Sequence, residues 1–340
     1  MITFEPGRIR ASELFGNYWI NAEPVSIRAL RGTVVLLDFW DYTSAAWNRT
    51  LPYLKEWHRR YRDFDLLVIG VHTPQYNFGK NPENVEKAIR RAGIDYPVVT
   101  DNDGVIWTSY ASQLWPTKFL LDKDGFIRYS HQAEGGYDRF EHALQSLLVE
   151  TGYHGLLPEI MEPLRATDYP GAICHRATPE IQLGYLRGTI GNPEGYGPES
   201  TLEYTDQGLH LIGRVYLKGK WYNERESLRF EGMPREKGQV SLGYEALEVS
   251  SVMESSRKSR CKVFAFQDGK PLSRDNAGSD ISYDASGRSY IHVDGPRLFN
   301  VICNQEFGQH ELQLVTGTPG LAFYSFGFAT AVIPESVSTN

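Results

Sequence analysis

Residues 36–57 read LLDFWDYTSAAWNRTLPYLKEW, and the fold of the first half of the chain turns on this stretch. It opens inside TVVLLDFW (33–40), a continuous apolar run rich in β-branched residues. A strand buried on both faces reads this way. From Ser44 to Arg62, residues Leu51, Leu54, Trp57 and Tyr61 recur at helical spacing. A second buried run, LLVIGV (66–71), follows. Strand, helix, strand predicts a parallel βαβ unit with a right-handed crossover.

Working outward, a second helix is predicted from Asn81-Pro82-Glu83, a capping residue followed by proline at the first helical position. It turns Val85, Ala88 and Ile89 inward. YPVVTD (96–101) predicts a short strand, and Val105 to Ala111 a helical stretch. TKFLLD (117–122) and FIRYSH (126–131) flank Lys123-Asp124-Gly125, a strong hairpin signal. A last helix spans Tyr137 to Glu150, with Phe140, Ala143, Leu144 and Leu147 on one side. The order β-α-β-α-β-α-β-β-α predicts an α/β layer fold over residues 1–150. Residues 151–178 lose all period and read as a linker that packs on both neighbours. From 179 to 335 come IQLGYLRG, LHLIGRVYL, ALEVSSVM, CKVFAFQDGKPL, SYIHV, RLFNVI, HELQLVT and LAFYSFGFATAVI, with turn signals such as Gln267-Asp268-Gly269-Lys270 between them. Short, evenly spaced strands predict an all-β sandwich or jelly roll.

The totals bound the function. A length of 340 residues fits two domains, and 41% hydrophobic residues suffice for a sizeable core. A net charge of -7, with no Lys/Arg run, argues against nucleic-acid binding. No apolar run of about 18 residues occurs, so no membrane span is expected. The start, MITFEPGRIRASELFG, lacks an apolar leader. The chain as given therefore reads as cytoplasmic, and as extracytoplasmic if a leader has been removed. The three cysteines, Cys174, Cys261 and Cys303, form neither a CxxC pair nor a zinc spacing. They read as structural thiols, with a Cys261–Cys303 bridge between neighbouring strands as the alternative. No cofactor and no metal site are expected.

Asp38-Phe39-Trp40, then Ser44-Ala45-Ala46-Trp47, then Pro52, resembles the thioredoxin active-site frame in register. Ser44 and Trp47 stand where that family's two cysteines belong. Leu114-Trp115-Pro116-Thr117, just before a strand, matches the loop where thioredoxins keep a cis proline. The resemblance implies a cis Pro116 lying beside Ser44. Residues 28–150 further resemble the TlpA-like redoxin (AhpC/TSA-like) domain of DipZ-type thiol–disulfide proteins. The resemblance rests on FWDYTSAAWNRTLPYL, GVHTP (70–74), YPVVTDNDG (96–104), WPTKFLLDKDG (115–125) and IRYSH (127–131). In that family a carbohydrate-binding-module-like β-sandwich follows, and TPEIQLGY (178–185) and DGPRLFNV (294–301) are similar to its text. The departures are the lost CxxC and, in the chain as given, no membrane-spanning electron-transfer domain.

Ser44 reads as a helix N-cap, with Thr43 as competitor. No histidine lies near it in sequence to act as a base, though His72 can approach from the end of the second strand. Trp47 reads either as packing between Ser44 and Pro116 or as an aromatic contact surface. Asp38 matches the buried thioredoxin carboxylate, now paired with a backbone group or a hydroxyl. Alternatively Asp38, Asp41 and His72 form a polar or metal cluster. Trp40, Tyr42, Trp107 and Trp115 are expected around one mouth. Trp221, Tyr222, Tyr244, Tyr283 and Tyr290 read as sugar-stacking residues or as core. Asp122/Asp124 and Asp101/Asp103 read as turn formers. The function this supports is a thioredoxin-like protein, redox-inactive at the usual site, that binds or scaffolds a partner. An extended peptide or protein at the Ser44/Pro116 groove suits that role. The alternatives are an oxidoreductase using Cys174, beside His175, or a carbohydrate-associated protein acting through the second domain.

Overall fold

The computed structural model describes residues 9–255 and 261–334, so residues 1–8, 256–260 and 335 of the two expected domains lie outside the described residues. The chain divides into two units, Met1–Gly171 and Ala172–Asn340. The first contains β1 (Tyr18–Ile20), β2 (Val34–Trp40), α1 (Ala45–Tyr61), β3 (Leu66–His72), α2 (Pro82–Ala92), β4 (Val98–Thr100), α3 (Val105–Ser109), β5 (Thr117–Leu121), β6 (Ile127–Gln132) and α4 (Tyr137–Glu150). Its sheet has the order β1-β4-β3-β2-β5-β6. β3 runs parallel to β2 and β4, while β5 is antiparallel to β2 and forms a hairpin with β6. This is the α/β order read from the sequence, with β1 added at one edge. Three residues are too few to show a period, which is why β1 escapes sequence reading.

All seven residues of β2 are buried because the strand serves two cores. Val34, Leu36 and Trp40 face Leu54, Trp57 and Phe140 of the helices on one side. Val35, Leu37 and Phe39 face Ile106, Tyr110 and Phe119 on the other. α1 lays Trp47, Thr50, Leu51, Leu54, Trp57 and Tyr61 against the sheet, three and four residues apart. Each such apolar side chain contributes roughly 1.5–3 kcal/mol when buried. α2 starts where Asn81 caps Glu83 N ahead of Pro82, and ends at Gly93, whose φ of 61° places it in the left-handed region.

The aperiodic stretch after α4 divides at the boundary between the units. Up to Asp168 it is stitched to the first. Leu157 and Met161 pack on the helix-side core. Met161 N donates to Glu141 Oε2 at 2.9 Å, and Leu164 N donates to the Tyr53 hydroxyl at 2.7 Å. That hydroxyl in turn donates to Asp168 Oδ2 at 2.8 Å. From Cys174 onward the chain pairs within the second unit, through a Cys174–Val332 bridge and a Thr178 N to Glu245 O bond.

The second unit contains β7 (Ile181–Gln182), β8 (Thr201–Tyr204), β9 (Val215–Asn223), β10 (Leu228–Phe230), β11 (Gly238–Ser255), β12 (Cys261–Gln267), β13 (Lys270–Pro271), β14 (Ile281–Tyr283), β15 (Ser289–Val293), β16 (Arg297–Thr316) and β17 (Leu321–Ala329). One apolar cluster draws on strands across this all-β unit. Several of the expected strands need correcting. RLFNVI and HELQLVT are not two strands but parts of β16, and ALEVSSVM is the second half of β11. These strands reach 20 and 18 residues because register shifts at Ala246/Glu248 and Val249/Ser250 bend the pair instead of ending it. LHLIGRVYL is a strand only from Val215, residues 209–214 being loop, and IQLGYLRG is a strand only at Ile181–Gln182. No helix among the described residues is long and apolar enough to cross a membrane.

Tyr53→Phe removes a hydroxyl that both accepts from Leu164 N and donates to buried Asp168. Chemical denaturation should show a loss of about 1–3 kcal/mol. Limited proteolysis should show faster cutting between residues 157 and 170.

Candidate functional site

The loops at the ends of β2, β3 and β4 are tied by two buried carboxylates. Asp41 accepts from Thr43 N at 2.8 Å, from the Thr43 hydroxyl at 2.9 Å and from Gln75 N. Asp101 accepts from the Thr73 hydroxyl and from Ile106 N and Trp107 N, capping α3. Thr43 is thereby taken, and Ser44 is the cap of α1, its Oγ accepting from Trp47 N at 3.2 Å. The same hydroxyl lies 3.5 Å from the Trp115 carbonyl. The Trp115–Pro116 peptide is cis. The tip of α1 and the Pro116 loop therefore adjoin. Ala45 and Ala46 are half-buried beside Ser44.

Trp47 points down into the domain and not out of it. It is 1% exposed and stacks on Trp40 with ring centroids 4.3 Å apart. Its Nε1–H donates to Asp38 Oδ2 at 2.8 Å. The contact-surface reading of Trp47 is therefore wrong, since a buried indole meets no partner. The expected backbone or hydroxyl partner of Asp38 is likewise replaced by this indole. Asp38 Oδ1 has no hydrogen-bond partner among the described residues. Burial pushes the Asp38 carboxyl up to about 6, against the opposing field of Lys118 and the bond from Trp47. Lys118 stands opposite Asp38 in the β2–β5 ladder and is also fully buried. Its ammonium donates to Ala133 O at 3.3 Å, and burial lowers it to about 8.

The Asp38–Asp41–His72 cluster does not assemble. His72 Nε2 is 4.0 Å from Asp41 Oδ1, but Asp38 is engaged with Trp47. Among the described residues no group of three His, Cys, Asp or Glu side chains is placed to hold a metal. Nor does His72 serve Ser44, whose hydroxyl, among the described residues, meets Trp47 N and the Trp115 carbonyl. Burial lowers His72 to about 3, so the ring is neutral near pH 7. The four aromatics expected around one mouth separate into buried and half-buried sets. Trp40 lies on Trp47 and Tyr42 on His72, all inside. Only Trp107 and Trp115, 4.5 Å apart, are half-buried at the surface.

Residues 16–130 match the AhpC/TSA family, and residues 178–329 match the thioredoxin like C-terminal domain. Neither match covers half of the chain; together they mark a thioredoxin-like (AhpC/TSA) first domain followed by a distinct second domain. The protein DipZ of Mycobacterium bovis is 31% identical over 270 residues, covering 78% of this chain and 37% of that protein. The relation to DipZ is thus distant, and this chain spans 37% of the length of that relative. Human NHL repeat-containing protein 2 is 35% identical over 127 residues, 36% of this chain and 18% of that protein. Among solved structures, a thiol-disulfide isomerase from Corynebacterium glutamicum is 26% identical with a TM-score of 0.37, covering 41% of this chain and 96% of that one.

Against that background, this chain has no cysteine at positions 44 or 47 and no disulfide among its three thiols. The Cys261–Cys303 bridge does not form: Cys261 sits opposite Val293, and Cys303 opposite Glu248. Cys174 is half-buried at its bridge to Val332. Of the sugar-stacking candidates, Trp221 and Tyr244 are wholly interior. The Tyr222 and Tyr290 rings are covered by Arg229 and Lys262, at 4.9 and 4.2 Å. That leaves Tyr283, which is exposed. Asp122 does shape its turn, accepting from Asp124 N and Phe126 N.

Ser44→Ala should cost about 1 kcal/mol through the lost cap. Trp47→Phe deprives the Asp38 carboxylate of its donor, a loss of about 2 kcal/mol for a charged acceptor. Because Asp38 is protonated well below 6, Trp47→Phe should be more damaging at pH 8 than at pH 5. Urea denaturation at both pH values checks the difference; equal losses would mean the indole acts by packing alone.

Proposed function

We propose that this chain is a redox-inactive thioredoxin-like protein that works by binding or scaffolding a partner at the α1 tip. The supporting observation is the indole of Trp47, hydrogen-bonded to Asp38 at the position of the second motif residue. Disulfide exchange proceeds through a thiolate. A capping hydroxyl at Ser44 and a buried indole at Trp47 supply none. What the tip still offers is a surface: Ser44, Ala45 and Ala46 beside Pro116, with the Trp107–Trp115 pair alongside. Leu114 and Val105 are exposed next to that pair. An apolar ledge suits an extended peptide segment. The tying of the surrounding loops by Asp41 and Asp101 supports this reading, because a pre-ordered surface loses less entropy on binding.

The second domain gives weaker support to a carbohydrate role, since most of its aromatic candidates are interior or covered by cations. A thiol role for Cys174 has no observation in its favour beyond the neighbouring His175.

Insulin reduction with a thioredoxin-reductase system should proceed at the uncatalysed rate with the full chain. Turnover above that rate, lost in Cys174→Ser, would overturn the redox-inactive reading in favour of that thiol. On a peptide array, the chain should retain extended apolar peptides, and Trp115→Ala should lose them. Equal retention by Trp115→Ala would rule out the Pro116 groove.

A further inference from the structure

The loop between β8 and β9, residues 205–214, poses a question of anchorage. Leu209, Leu211 and Ile212 on it are 71%, 54% and 42% exposed, so apolar burial holds it little. Its backbone meets the sheet through an Ile212–Gly243 bridge and a Gly213 N to Gly243 O bond. Leu211 N donates to the Tyr216 hydroxyl at 3.2 Å. Between these sits His210, with a side chain only 3% exposed. Its Nε2 is 2.8 Å from Asp206 Oδ1 on the same loop, and its Nδ1 is 2.7 Å from Glu311 Oε2 on β16.

An imidazole donates at both nitrogens only when protonated. Two acceptor-only carboxylates at these distances demand that form. We infer that His210 is a pH-dependent latch, holding the 205–214 loop to β16 while it bridges Asp206 and Glu311 as an imidazolium.

The surroundings agree. Asp206 is fixed by Gly208 N at 2.8 Å and by Gln239 of β11 at 3.3 Å. Glu311 is fixed by Gln313 at 2.6 Å, and its own N–H donates to Asp268 in the turn before β13. His310 pairs with Asp268 and not with the latch. Lys218 of β9 is the cation whose field reaches Asp206. Tyr216 lies against the His210 ring at 4.9 Å. The charges facing His210 are thus Asp206 and Glu311, with Asp268 and Lys218 behind them. Burial opposes the imidazolium, and the two carboxylates outweigh it, holding His210 above its ordinary 6.5. The sign follows. A raised histidine contributes stability that is complete below 6.5 and is lost as pH rises through the folded value. The latch closes on the acid side and loosens on the alkaline side.

The test is amide hydrogen exchange of residues 206–212 in the full chain from pH 6 to 9, corrected for intrinsic rates, with the His210 ring titrated by NMR. Wild-type protection should fall at least tenfold across that range, with a midpoint matching the ring titration. His210→Gln should show low protection that does not change with pH. Glu311→Gln, which keeps the shape but removes one charge, should move both midpoints to lower pH. Val240 and Leu242 amides of β11 report whether a variant remains folded. Constant wild-type protection, or an unmoved midpoint in Glu311→Gln, would overturn the latch.

Discussion

The bond from the Trp47 indole to Asp38 is the constraint on which the first domain's site depends. A carboxylate buried under a helix is costly unless something donates to it. Trp47 meets that need from the first turn of α1, and its ring fills the space between helix and sheet against Trp40. One side chain thus sets both the docking of α1 and the environment of Asp38. Ser44 completes the arrangement from the solvent side, closing the start of the helix and touching the Pro116 loop.

The buried titrating groups around this bond oppose one another. Asp38 and Asp41, both pushed up to about 6, contribute stability that is present below 3.8 and lost as pH rises toward 6. His72, pushed down to about 3, contributes stability that is present above 6.5 and lost as pH falls. Between pH 4 and 6 the two gradients have opposite sign. The loop cluster is thereby buffered against mild acid, whereas the His210 loop in the second domain responds on the alkaline side.

Much of this was legible in the chain. The apolar runs at 33–40 and 66–71 announced strands, because a strand buried on both faces has no polar alternate. The hairpin at Lys123-Asp124-Gly125 announced itself through its turn chemistry. The register of Asp38, Ser44 and Trp47 located the helix tip. Which way Trp47 points was not legible, since spacing does not say whether a ring at a helix start faces solvent or sheet. Lys118 escaped notice too, because TKFLLD gives no sign that its lysine faces a carboxylate across the ladder. In the second domain, LHLIGRVYL looked like one strand because its apolar residues alternate. The structure leaves Leu209 and Leu211 in solvent, held by a histidine whose carboxylate on β16 is far away in sequence.

The depth of Trp47 also limits what else position 47 can hold. Exchanging a fully enclosed indole for a small thiol opens a void, and truncations of this kind cost roughly 3–5 kcal/mol. A lone cysteine at position 47 would therefore be punished before it could be useful, since a second at position 44 must accompany it. The space under the start of α1 is shaped for an indole and not for sulfur, so a thiol placed at position 47 alone leaves the site both weakened and unreactive.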